Sequence, residues 1–214
     1  MDDLRYFGTY ARFETESKKD AAVLIGADSL VGDLFDIEFD TREGRIVAWI
    51  VNKFGARVCY IDGDVVRDLN IARARSWNLR AILSFVAFTD TPDPGFYWGQ
   101  VAIICNDPRY DEAVDAFVGR VQKLLADGVR PDVDLGAQGI DRMLANDGSW
   151  MTESRVPFPE KTHGTVILKS RLKTSEKLIE QGRKGNKGCY VVSWAFLILV
   201  AAAAVYGLHA IGLF

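Results

Sequence analysis

From Gly188 to Phe214 the chain reads "GCYVVSWAFLILVAAAAVYGLHAIGLF", a run without Asp, Glu, Lys or Arg. No other stretch restricts the fold as strongly. A helix needs about 20 apolar residues to cross about 30 Å of hydrocarbon at about 1.5 Å per residue. Tyr190 to Phe214 is long enough. A helix buried in a water-soluble core would carry polar residues along one face, yet only Ser193 and His209 interrupt this run. The expectation is one C-terminal transmembrane helix over 189–214.

The flanking charge sets its orientation. Lys169, Arg171, Lys173, Lys177, Arg183, Lys184 and Lys187 stand against Glu176 and Glu180, a net +5, which leaves −8 on residues 1–168. The excess of Lys and Arg before the span places the N-terminal side in the cytoplasm, at the inner membrane if the chain is bacterial. The same seven cations are expected to contact a bilayer with anionic headgroups, at about 1 kcal/mol each near the surface. With apolar sequence running to the last residue, the chain has the layout of a tail-anchored protein. Ala203, Gly207 and Ala210 fall on one helix face, and small residues so spaced let two helices approach closely. One reading of that face is a homodimer through the membrane helix; the other is an alanine-rich span that makes no dimer interface.

Composition narrows the chemistry. An acidic body with a basic neck is not the charge profile of a general nucleic-acid binder. Cys59, Cys105 and Cys189 lie far apart and odd in number, which excludes a disulfide framework and fits a reducing compartment. The first twenty residues hold no apolar core of a cleaved signal. With His163 and His209 as the only histidines, neither a metal centre nor a histidine-based catalytic group is expected. No phosphate-cradling glycine motif occurs, so no cofactor is expected.

Upstream of the span the pattern is α+β. "DLFDIEFD" alternates before "TREG" turns the chain, and "RIVAWIVN" and "ARVCYID" follow as strands. "DGDVVRDLNIARARS" shifts to helical spacing, with Val65, Val66, Leu69 and Ala72 on one side. "LRAILSFVAF" and "FYWGQVAIIC" read as two strands joined by the turn "TDTPDPG". In "NDPRYDEAVDAFVGRVQKLLADG" a stripe from Ala113 to Leu125 predicts an amphipathic helix, capped near Asn106 or Asp107 and ended by Gly128. Beyond Val129 apolar residues thin out; a short helix near Ile140 and a last strand "TVILK" are expected. These elements suggest a small antiparallel β-barrel or curved sheet with an inserted short helix and a packed amphipathic helix. The division expected is a domain over 1–128, a loosely packed arm and basic neck over 129–188, and the membrane helix.

The stretch "GRIVAWIVNKFGARVCYIDGDVVRDLNIARARSWNLRAILSFV" resembles a HIRAN domain. Ala48 to Val51 match that family's first strand, Gly55 its glycine turn, "VCYID" its second strand, and the helix starting near Val65 its short helix. Cys59 stands where the family has glycine and Asp62 where it has proline. The resemblance covers about residues 30–105 and implies a small barrel that contacts nucleic acid.

The richest basic cluster outside the neck is Arg67, Arg73, Arg75 and Arg80, with Trp77 among them. Arginine beside an aromatic ring can hold phosphates and stack a base; alternatively these side chains pair with Asp62, Asp64 and Asp68 on a solvated helix face. "PDPGFYWG" raises the parallel question of a ring platform or a strand start. The first functional expectation is a single-pass, tail-anchored membrane protein presenting a cytoplasmic binding or scaffolding domain to a protein partner. The alternatives are a membrane-tethered nucleic-acid-binding module and an enzyme that works without histidine.

Overall fold

Why the apolar strands of this chain need no second sheet to cover them is answered by their pairing. The computed structural model describes residues 5–160 and 162–173, with 176, 177, 179, 180, 196 and 198–200. Two compact units divide the chain, Met1–Lys173 and Thr174–Phe214. In the first, strands β1 (Tyr6–Glu14), β2 (Leu34–Arg42), β3 (Arg45–Val51), β4 (Arg57–Ile61), β5 (Asn78–Thr89), β6 (Phe96–Asn106) and β7 (Thr165–Lys169) form one antiparallel sheet. Its order is β2-β3-β4-β1-β6-β5-β7, and a further β2–β5 pairing closes six strands into a barrel. The curved-sheet alternative is thereby settled in favour of closure.

Closure is uneven. β1 and β6 pair from Tyr6↔Asn106 to Glu14↔Trp98, whereas β1 meets β4 only at Glu14↔Tyr60. β2 meets β5 at Leu34↔Ile82 and Phe35↔Ala81. The barrel is therefore two three-stranded sheets, β2–β3–β4 and β1–β6–β5, joined along two short seams.

Alternation decides what faces in. Ala48 and Ile50, Ala81 and Leu83, and Val101, Ile103 and Cys105 share the interior with Ala11 and Phe13. Outward residues Ile82, Ala102 and Ile104 are also buried, beneath α3 (Asp111–Ala126). Strands β5 and β6 are thus covered on both faces, which is why they read as continuous apolar runs. α3 follows a single turn of 3₁₀ helix, Pro108–Tyr110, where the Asp107 side chain accepts from Arg109 N. Gly128, at φ +84, ends it. α2 (Asp64–Ala74) lays Val66, Leu69 and Ala72 into the barrel interior, and α1 (Lys18–Ile25) contributes Leu24. Glu43 and Gly44, both at positive φ, make the tight β2–β3 turn that suits strand twist.

Neither β1 nor α1 was expected from sequence. β1 mixes glycine, threonine and arginine with its rings because its outer face touches other chain segments rather than a uniform apolar layer. Of the arm expected over 129–188, the residues through Lys173 fall in the first compact unit. Val133 and, in α4 (Gly136–Ala145), Met143 are fully buried against the outer face of the barrel. Tyr6 Oη donates to Val133 O at 2.9 Å and Tyr10 Oη to Pro131 O at 2.8 Å. The approach is so close that a β-carbon on Gly8 would collide with Val133 O. Val133 and Met143 are fully enclosed, and Leu135, Ile140, Leu144, Trp150 and Met151 pack half-buried around them.

The expected membrane helix, with Ala203, Gly207 and Ala210, lies outside the described residues except for Phe196 and 198–200, which are helical. Among the described residues no helix is long and apolar enough to cross a membrane.

Candidate functional site

α2 presents two distinct faces. Val66, Leu69 and Ala72 point into the barrel, while Arg67, Asn70, Ile71 and Ala74, spaced by three or four residues, line a groove. Its opposite wall is the start of β3, with Arg45 and Ile46, and its volume is about 770 Å³. A second cavity of about 540 Å³ shares Arg45, Ile46 and Gly63 with it and adds Arg42, Glu43, Tyr60 and Asp62. Ile46 is 55 % exposed and Ile71 44 %. Two large aliphatic side chains thus face solvent across one groove.

Several arginines on the barrel strands are paired. Arg57 donates to Glu38 at 3.2 Å and Asp40 at 2.7 Å, and lies over the Trp49 ring. The hydrogen bond from Arg57 holds the Asp40 carboxyl below its ordinary value. Arg42 sits 3.5 Å from Glu16 and over Tyr60. Arg12 pairs with Glu14 and covers Trp98. By contrast, Arg45, Arg67, Arg73 and Arg75 form no ion pair among the described residues. Asp62, Asp64 and Asp68 leave them uncompensated.

The four arginines singled out in sequence therefore separate. Arg67 lines the groove. Arg73 lies 4.5 Å from the Phe39 ring centroid and Arg75 5.7 Å from that of Trp77, which is itself buried in the barrel core. Arg80 leaves the group: it points from β5 to α3, donating to Asp115 at 2.6 Å and to Asn106 at 2.5 Å. Sequence reasoning missed Arg45, Ile46 and Ile71. The signal for Ile71 was present, because a large aliphatic residue fell off the Val66–Leu69–Ala72 stripe.

The remaining candidates are occupied with structure. Trp98 is buried with Nε1 donating to Thr89 Oγ1, Tyr97 packs on Phe88, and Phe96 lies under Arg12. Of the cations expected at a membrane surface, Lys169 is buried, its ammonium donating to Leu24 O, Gly26 O and Ser29 O at 3.2, 2.9 and 2.7 Å. It satisfies carbonyls at the C-terminal end of α1, where a cation also suits the helix dipole. Arg171 and Lys173 are exposed. Arg183, Lys184 and Lys187 lie outside the described residues. Among the described residues no cluster of His, Cys, Asp and Glu has the arrangement of a metal site. Burial pushes the Cys105 thiol up to about 12 and raises the Cys59 thiol as well; neither is a ready nucleophile.

What the groove presents is guanidinium groups without ion pairs among the described residues beside two exposed aliphatic side chains. No protein family, no curated protein and no solved structure matches the chain.

Proposed function

We propose that the chain is a single-pass membrane protein that holds a barrel domain at the cytoplasmic surface as a binding module, with the α2 groove as its binding face. The observation that carries the tether is the helical segment holding Phe196, Ile198, Leu199 and Val200. All four are apolar and 49 to 69 % exposed. A helix apolar on every side requires an apolar surrounding, and the uncharged run from Gly188 to Phe214 supplies the length for a lipid one. The cations Arg171, Lys173, Lys177, Arg183, Lys184 and Lys187 then serve as the border with anionic headgroups. A second copy joining through Ala203, Gly207 and Ala210 belongs to the same reading. In sealed inverted vesicles, added protease should digest the barrel domain. Protection of that domain would refute the orientation, and recovery of the full chain in the supernatant would refute the tether.

A second reading, nucleic-acid contact of the HIRAN type, draws support from the uncompensated Arg67, Arg73 and Arg75. It expects the full chain to be retained on single-stranded DNA in a salt-dependent way. Retention should fall with Arg73→Ala and Arg75→Ala; absence of retention at low salt removes this reading.

A further inference from the structure

We propose that the groove between α2 and the β2–β3 hairpin docks an acidic, aliphatic segment of a protein partner, seated as an amphipathic helix along Ile46 and Ile71. This rests on the reading of the chain as a binding module and names the partner of its α2 face.

The floor supplies the apolar half of the recognition. Ile46 and Ile71 stand on opposite walls, both exposed, with Ala74 beside them. An isolated exposed isoleucine means little, but two across one groove present a continuous aliphatic strip. The shallow shape suits a helix laid along it with anchors three or four residues apart.

The rim supplies the charged half. Arg45 lies on one wall and Arg67 on the other, and neither has a carboxylate partner among the described residues. An incoming carboxylate meets a guanidinium without displacing an existing ion pair, and can be held by two parallel hydrogen bonds. Glu43 and Asp62 line the adjoining cavity together with Arg42 and Arg45, so the excess of positive charge lies in the groove itself, whose charged lining is Arg45 and Arg67.

Rings decide against nucleic acid in this groove. Bases bind single-stranded-DNA proteins by stacking on open aromatic faces. Trp77 is 8 % exposed, and Arg73 covers Phe39. A nucleic acid finds cations here without a platform, whereas a helix bearing Glu and Leu matches both halves of the site.

The test uses the full chain reconstituted in neutral phosphatidylcholine vesicles. The probe is a fluorescein-labelled, helix-forming peptide with Leu at spacings of three and four and Glu flanking them. Anisotropy should report saturable binding. Ile71→Glu and Arg67→Glu should each weaken it by about tenfold or more, because a like charge is then placed against the probe. Arg120→Glu, a reversal on the exposed face of α3, should leave it unchanged. No saturable binding, or equal losses in all three variants, overturns the proposal. Displacement of the probe by a mixed-sequence oligonucleotide overturns it in favour of nucleic acid. Circular dichroism of each variant separates lost binding from lost folding. Flotation of the same vesicles separates the two readings: a chain that floats without binding defeats only the docking, and one that binds without floating defeats only the tether.

Discussion

Arg130 is 4 % exposed and has no carboxylate partner among the described residues, an arrangement that would be costly without compensation. Its Nε donates to Ser84 Oγ at 3.1 Å, Nη1 to Pro157 O at 2.5 Å and Nη2 to Gln100 Oε1. The rings of Tyr10, Phe158 and Phe85 surround the guanidinium at 4.5, 5.0 and 5.4 Å. Burial pulls its pKa below the ordinary value, partly opposed by Tyr10. A planar fork fits these three directions and an ammonium does not. Arg130→Lys should therefore lower stability by about 2 to 4 kcal/mol, read as a drop in urea midpoint. Asp111 makes a different prediction. Desolvation raises its pKa, but hydrogen bonds from Asn106 and Asn78 and the Arg80 charge outweigh it, leaving the carboxyl below its ordinary 3.8. A depressed folded-state pKa adds stability that is complete above 3.8 and is lost as pH falls through the folded value. In acid titration of stability, Asp111→Asn should flatten the limb below that pH relative to the parent chain.

At the scale of elements, α4 offers the sharpest check because sequence gave little weight to it. Met143 is fully enclosed between α4 and the barrel wall. Met143→Ala should cost about 2 to 5 kcal/mol and shift a single cooperative thermal transition. A loose arm would show no such loss. α3 was legible because its stripe of Val114, Phe117, Val118, Val121 and Leu125 repeats at helical spacing over about three turns. β5 and β6 were legible because both faces are buried. The stretch beyond Val129 was not, because its contacts are few and distant in sequence: Val133 with Tyr6, Lys169 with the end of α1. The site was half legible. Arg67, Arg73 and Arg75 show in composition, but whether nearby aspartates neutralise them depends on side-chain direction. Arg80 was misgrouped because its partners, Asp111 and Asp115, lie on α3 and become neighbours only after folding.

For the whole molecule, the division after Lys173 predicts that the first unit folds without the second. A truncation ending at Lys173 should keep one cooperative unfolding transition and remain in the supernatant on ultracentrifugation. The full chain should sediment with membranes. A truncated protein that loses cooperativity would show that the second unit contributes to the core. The two short seams carry a last consequence. α2 touches β3 on one half of the barrel and β5 and β6 on the other, so it acts as a clip over the joint. Whatever settles on that helix will also resist the parting of the halves, and occupancy of the groove should be felt as slower breathing at the two seams, at Leu34 and at Tyr60.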